Sequence, residues 1–160
     1  MKQKPLSLWL KVIIAGIAIC AILIYAVVVP MAGQTIAAYE NGEFDYCYIP
    51  WLTFISLTSI PLAAGLVLLW KIAGNIGADR SFCTENAKLL KWISFLAAAD
   101  GAYFFAGNTV FLFLNMNHPG IVLLSLAVVF VCAVISVAAA AASHLAAKAA
   151  ELQEQSDLTI

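Results

Sequence analysis

One acidic side chain, Asp100, lies inside an otherwise apolar stretch and is the residue best placed to do chemistry. It follows Trp92 by eight residues, which places it about 12 Å along a helix. A carboxylate near the centre of a bilayer costs roughly 2.5–3.5 kcal/mol, so Asp100 should face protein or water and carry its proton. Acidic residues at this depth are typical of proton or cation paths, which is one interpretation of Asp100.

Four other polar residues lie at depths that bring them near Asp100 on neighbouring turns or helices. They are Asn108 on the same helix, Thr58 and Ser59 on the preceding helix, and Ser136 on the following helix. We predict a buried polar layer in which Asp100 is hydrogen-bonded. In a second interpretation such bonds, worth about 0.6 kcal/mol on average, only fix how the helices pack. We favour that structural role, because an ion path normally needs more than one titratable group and no other charge lies between the interfaces.

Other combinations of residues that do chemistry are missing from the sequence. It has no paired catalytic carboxylates, no HExxH motif, no CxxC motif and no phosphate-binding loop. We therefore predict no catalytic, cofactor or metal site and a protein that is not an enzyme. His118, in the segment NMNHPG, has no partner at metal-ligand spacing and is expected to be a polar turn residue.

An acidic segment and four cysteines are the remaining candidate sites in the sequence. Glu40, Glu43 and Asp45 lack the alternating ligands of a calcium loop, so a solvated loop is the favoured interpretation. The cysteines are expected at different levels: Cys20 and Cys132 within membrane helices, Cys47 on the outer side of the membrane and Cys83 on the cytoplasmic side. A disulfide within one chain on the outer side is therefore not expected.

The composition is that of an integral membrane protein. Hydrophobic residues make up 64% of the 160 residues and charged residues 11%, against roughly 45–50% and 25% in soluble domains. The excess of apolar side chains must face lipid, which excludes an ordinary soluble globule and a disordered chain. A net charge of −1 gives no indication of direct nucleic-acid binding.

Four apolar stretches, 12–29, 51–70, 92–114 and 121–142, are each long enough to cross a bilayer as a helix. We predict an all-α, four-helix transmembrane bundle with one membrane domain, 1–160, and helices at about 8–32, 51–72, 84–115 and 120–154. The first stretch is expected to be a retained anchor, because its apolar core is longer than that of a signal peptide.

All eight Lys and Arg residues fall on one side of a chain that crosses four times. The positive-inside rule therefore places both termini and the middle loop in the cytoplasm, with the protein in the cytoplasmic (plasma) membrane. Trp9, Trp70 and Trp92 each lie within two residues of a lysine, as expected at a membrane interface.

Local signals predict where the helices end and where they pack. Gly74 and Gly77 should break the second helix, and Thr84 should be the N-cap of the third. Small residues at four-residue spacing let helices approach closely. The series Ala98, Ala102 and Ala106 is therefore expected beside the polar stripe, in a helix contact.

Residues 79–91, with the sequence DRSFCTENAKLLK, resemble the segment before the third helix in a family of four-helix membrane proteins. This is the domain-of-unknown-function family 2975, whose members have a Phe-(Ser/Thr)-Glu-Asn-type stretch there and a tail similar to SDLTI at 156–160. Cys83, between Phe82 and Thr84, departs from that pattern. The resemblance covers nearly the whole chain, and it implies a membrane component paired with a small helix-turn-helix regulator.

Two functions follow as hypotheses. The first is a non-enzymatic membrane protein that binds or regulates a cytoplasmic partner, such as that DNA-binding regulator, through the loop before the third helix and the tail. The docking residues would be Arg80, Phe82, Glu85, Lys88 and Lys91. The alternative is a small transporter or channel subunit that uses Asp100. The small-residue helix faces would also permit a homodimer.

Overall fold

The computed structural model describes residues 3–38 and 45–157. These residues form helices and no strand: α1 is Gln3–Leu23, α2 is Val29–Ala37, α3 is Asp45–Gly77, α4 is Thr84–Phe113 and α5 is Pro119–Asp157. A π-helical turn, Ile24–Val28, joins α1 to α2. Four helical rods are long and apolar enough to cross a membrane: Gln3–Ile36, Asp45–Gly77, Thr84–Phe113 and Pro119–Ser156. The predicted all-α, four-helix membrane architecture is confirmed.

Most helices extend beyond the predicted bounds, because apolar length marks the hydrocarbon core and not the end of backbone hydrogen bonding. The break in the first rod was not predicted. Pro30, at the start of α2, lacks a backbone N–H and crowds the carbonyl four residues earlier. The wider π turn accommodates that proline and changes the face that α2 presents.

The helices pack in chain order. The rod of α1 and α2 lies against α3, α3 lies against α4, and α4 makes the most extensive contact of all, with α5. Large apolar side chains such as Phe113, Leu124 and Phe130 are exposed on the outer surface. Exposing so much apolar area to water would be unfavourable, so this surface is the one that faces lipid.

The α4–α5 contact runs along residues that recur every seven positions, and all of them except Asn108 have small side chains. On α4 they are Ala87, Ser94, Gly101 and Asn108, and on α5 they are Ser125, Cys132, Ala139 and Ala146. The two helices are close at Gly101, where a Cβ atom would lie 2.9 Å from the Cβ of Cys132. A seven-residue repeat of this kind keeps one face of each helix against its partner.

The predicted packing series Ala98, Ala102 and Ala106 does not take part in that contact, and all three residues are exposed. The prediction is wrong because helices pack along the face with the smallest groups. The absence of a side chain at Gly101 lets α5 approach there, and this turns the alanines outward.

The turn after α3 and the turn after α4 each depend on a residue that has a positive φ and is not glycine. Helix α3 continues through Gly74, contrary to prediction, and Asp79, with a φ of 58°, closes it two residues after its end at Gly77. The Arg80 N–H donates to the Asn75 carbonyl at 2.9 Å, which completes a Schellman motif. Asn115, with a φ of 56°, has the same role after α4, because short polar side chains tolerate this conformation.

The N-cap of α4 is also one residue away from its predicted position. Cys83 has the extended backbone of an N-cap, with no side-chain hydrogen bond, and Thr84 is the first helical residue. The Cys83 carbonyl accepts the first helical hydrogen bond, from the Ala87 N–H at 3.3 Å. The prediction of Thr84 as the cap is therefore wrong.

Candidate functional site

The loop 78–83 between α3 and α4 is held by a buried amide at its base. Asn86, which is 2% exposed, donates from Nδ2 to the carbonyls of Arg80 and Ser81 at 3.1 and 3.0 Å. Its Oδ1 accepts from Asn75 Nδ2 at 2.8 Å, which ties the loop to the end of α3. Every hydrogen-bonding atom of this amide is used, so the loop backbone has one defined shape.

Contacts with α1 brace the same end of the bundle. Ser81 Oγ donates to Gln3 Oε1 at 2.6 Å, and Ser7 Oγ donates to the Ala73 carbonyl at 2.6 Å. On the other side, Ser143 Oγ donates to the Ala87 carbonyl at 2.7 Å and joins α5 to α4. We call this the basic end, because it contains the start of α1, the loop 78–83, the end of α5 and the lysines that flank them.

The predicted docking side chains, on the loop 78–83 and the first turns of α4, are exposed. Phe82 is 60% exposed, although it is a large apolar residue in a polar loop. Arg80 Nη2 lies 3.4 Å from Glu85 Oε2, in an ion pair whose side chains are 60% and 53% exposed. Lys88 and Lys91 are exposed on the next turns of α4. An ion pair this exposed contributes little to stability, so its charges are available to a partner.

A cavity of about 390 Å³ lies between this loop and the last turns of α5. Arg80, Phe82 and Cys83 line one side of it, and Gln153 and Glu154 line the other. The structure therefore brings Arg80 and Phe82 to one concave surface, with Glu85 paired to Arg80 at its edge. Lys88 and Lys91 do not line the cavity.

The predicted polar layer in the membrane does not form. Thr58 Oγ1 is hydrogen-bonded to Tyr25 Oη at 2.7 Å, and Ser59 Oγ donates to the Ser56 carbonyl at 2.6 Å. Ser136 Oγ lies 3.2 Å from Ser94 Oγ on α4. Each of these three hydroxyls therefore bonds to a nearby group and not to Asp100. Hydrogen bonds reach only about 3 Å, and the predicted members of the layer are spread along the helices.

Asp100 itself is half-buried, and its Oδ1 is buried without a hydrogen-bond partner among residues 3–38 and 45–157. Asn108, predicted to share its layer, is fully buried two turns further along α4. There its Nδ2 donates to the Phe104 carbonyl at 2.9 Å and its Oδ1 accepts from Asn117 Nδ2 at 3.1 Å. Asp100 and Asn108 are thus separate features, and Asn108 anchors the turn 114–118.

Sequence reasoning missed Asn86, Asn117, Ser94 and Tyr25 as partners in these bonds. A signal for Ser94 was present, because it lies seven residues before Gly101, and the predicted Asn108 lies seven residues after it. That spacing marks one helix face. Of the predicted acidic loop, Glu40 and Glu43 lie outside the described residues, as do the last three residues of the tail, while Asp45 begins α3. All four cysteines are free, and Cys47 is buried by other residues of the chain near the start of α3.

Comparison with known proteins places this arrangement in a family. Residues 31–160, which include α3, α4, α5 and the loop 78–83, match the family described as protein of unknown function (DUF2975). The chain is similar to the "Uncharacterized membrane protein YoaS" of Bacillus subtilis (strain 168), with 28% identity over 164 residues and 99% of each chain covered. No solved structure matches it. The resemblance seen in residues 79–91 is confirmed, and the chain belongs to the DUF2975 family of membrane proteins.

Proposed function

We propose that this chain is a non-enzymatic membrane protein that binds a cytoplasmic protein at its basic end. The docking surface consists of Arg80, Phe82, Glu85, Lys88 and Lys91. The observation that carries the proposal is the exposed Phe82 on a loop whose backbone is locked by Asn86. An exposed aromatic residue on a rigid support is typical of binding hot spots, because little conformational freedom is lost on binding.

The charges of the docking surface indicate the kind of partner. The concave surface beside Arg80 also contains Asp79 and Glu154, so its charges are mixed. Lys88 and Lys91 are exposed on α4 next to it, and an acidic surface on the partner would be complementary to these two lysines. The positive-inside rule places this end in the cytoplasm. The DNA-binding regulator that the family resemblance implies would meet it there, and the partner rather than this chain would contact DNA.

Cross-linking in native membranes tests the proposal. In cells that carry the tagged chain, we expect a soluble DNA-binding protein to be captured and identified by mass spectrometry. Lys88→Glu with Lys91→Glu, or Phe82→Ala alone, should lower its recovery about tenfold or more, as expected for hot-spot residues. Matched controls are Lys148→Glu, at the same end, and Phe95→Ala, an aromatic residue that is 61% exposed on α4. Unchanged capture by the docking variants would contradict the proposal.

A second candidate function rests on Asp100. Its Oδ1 is buried without a hydrogen bond in the described part of the chain, whereas the hydroxyls of Thr58 and Ser136, predicted to lie near it, are paired with other residues. An unsatisfied buried acid is costly in a purely structural role and is typical of proton-carrying sites in membrane proteins. In this candidate the chain is a small transporter or channel subunit.

A further inference from the structure

At the end opposite the basic end, a cavity of about 570 Å³ opens between α2, α3 and the start of α5. Its long walls are apolar and come from three helices: Val29, Ala32 and Ile36 on α2, Leu52 and Ile55 on α3, and Ile121 on α5. From Val28 to Ile36 the wall extends about 12 Å along the helix axis. The cavity is as large as many ligand sites in proteins.

The shape of the cavity follows from the irregular first rod. The π turn ends at Val28, where the wall begins, and Pro30 follows two residues later. Beyond it, Gly33 lies so close to α3 that a Cβ there would be 2.9 Å from the Tyr48 ring. Helix α2 thus meets α3 along Gly33, and a cleft remains between α2 and α5.

The floor of the cavity is fixed by Trp51. Its Nε1 donates to the Met116 carbonyl at 2.8 Å, and its ring lies 5.1 Å from that of Phe111. The turn 114–118 is held from the other side by Asn117, which donates to Asn108. Since both walls and floor are fixed by contacts within the chain, the cavity is a preformed feature of the fold.

The lining changes from apolar to polar along the cavity. The membrane-facing part is hydrocarbon, while the rim at the turn contains Asn115, Asn117 and His118. Asn117 Oδ1 is buried and has no hydrogen-bond partner among the described residues. No lysine or arginine of the described chain lines the cavity. This polarity suits an amphiphile whose polar end carries hydrogen-bond donors and is not held by positive charge.

We propose that this cavity binds one phospholipid, with an acyl chain between α2 and α5 and an ethanolamine-type headgroup at the turn 114–118. The walls belong to spanning helices, so hydrocarbon is the medium that surrounds them. An empty apolar cavity is destabilising in proportion to its volume, and an acyl chain from the bilayer fills it without burying a charge. The ethanolamine ammonium supplies a donor to Asn117 Oδ1, the buried rim acceptor that has no partner among the described residues. This site is independent of the docking surface, which lies at the other end.

Fluorescence of Trp51 tests the proposal in full-length protein. Replacing Trp9, Trp70 and Trp92 with Phe leaves Trp51 as the tryptophan at the cavity. The protein is placed in bilayers of phosphatidylethanolamine and phosphatidylglycerol, in which phosphatidylethanolamine brominated in mid-chain replaces part of the former. We expect saturable quenching of Trp51, and we expect Ala32→Phe, which fills the cavity, to lose most of it. Ala127→Phe, an exposed alanine on α5 outside the cavity, is the matched control and should be quenched like the parent.

Native mass spectrometry of the protein released from the same bilayers gives a second readout. The parent and Ala127→Phe should carry one phosphatidylethanolamine, and Ala32→Phe should carry none. Ile55→Phe fills the cavity from α3 without adding a tryptophan, and decides the comparison if Ala32→Phe loses its helical circular dichroism. The proposal would be overturned if the parent carried no lipid, or if a second protein chain took the place of the lipid. It would also be overturned if the filled variants carried as much lipid, and were quenched as strongly, as the parent.

Discussion

Asn86 and Asn108 are the largest side chains that are wholly buried in the described part of the chain, and both belong to α4. An amide offers donors and an acceptor without carrying a charge, so it can be buried in or near a membrane at a lower cost than a carboxylate. Asn86 fixes the loop at the basic end, and Asn108 fixes the turn at the other end. Asp100, which lies between them, has no comparable partner for Oδ1 among the described residues.

The prediction at the residue scale separates the two interpretations of Asp100. If the chain moves protons, Asp100→Asn should abolish the flux, because an amide of the same shape cannot release a proton. Insertion and helical content should be unchanged. The measurement is proton uptake by reconstituted vesicles that contain a pH-sensitive dye. Asp79→Asn, an exposed acid in the loop, is the control. Full flux through Asp100→Asn would exclude an acid relay.

At the scale of elements, the α4–α5 pair is the most extensive helix contact. Small side chains every seven residues let the two backbones approach, and hydroxyls such as those of Ser94 and Ser136 then come within hydrogen-bonding distance. Van der Waals packing of this kind, rather than the hydrophobic effect, holds helices together in lipid. The pair therefore depends on the absence of a side chain at Gly101, where the helices are close.

We expect Gly101→Leu to separate α4 from α5 and to destabilise the bundle by roughly 1–3 kcal/mol, the usual cost of overpacking. The Cys132 Cβ lies 2.9 Å from where a Cβ would be, so even one added carbon forces a shift. Ala102→Leu, on the next residue but on the exposed face, is the control and should have little effect. Thermal unfolding in the same detergent measures both. Equal stability of the two variants would contradict close packing of α4 against α5 at Gly101.

At the scale of the whole molecule, positive charge is segregated along the bundle axis. The described lysines and arginines lie at the basic end, where Lys11 Nζ also lies 5.6 Å from the centre of the Trp70 ring. The opposite end has the turn 114–118 and the acidic start of α3. A bundle with this polarity has one favoured direction of insertion.

We therefore expect both termini in the cytoplasm, which site-directed cysteine labelling measures. The four native cysteines are first replaced by serine or alanine. A membrane-impermeant maleimide added to intact cells should then label His118→Cys and leave Ser156→Cys unlabelled until the membrane is opened. Both positions are exposed in the structure, so access depends on the side of the membrane alone. The reverse labelling pattern would contradict the predicted orientation.

The number of spans and the all-α class were determined by the sequence alone, because the apolar length of each stretch directly reflects the thickness of a bilayer. The family was also recognisable from residues 79–91, because its motif is a run of contiguous residues. These features depend on local sequence, so they do not require knowledge of how neighbouring helices are arranged.

Which polar residues meet was decided only by the tertiary structure. Successive residues on a helix point about 100° apart, so partners depend on how each helix is rotated and how far it is shifted along its neighbour. The sequence placed Thr58, Ser136 and Asp100 at related depths, whereas the structure pairs the first two with Tyr25 and Ser94. The rotation of α4 that places Gly101 against α5 likewise decided which face of α4 is buried. The π turn before α2 decided where the cavity between α2 and α5 remains.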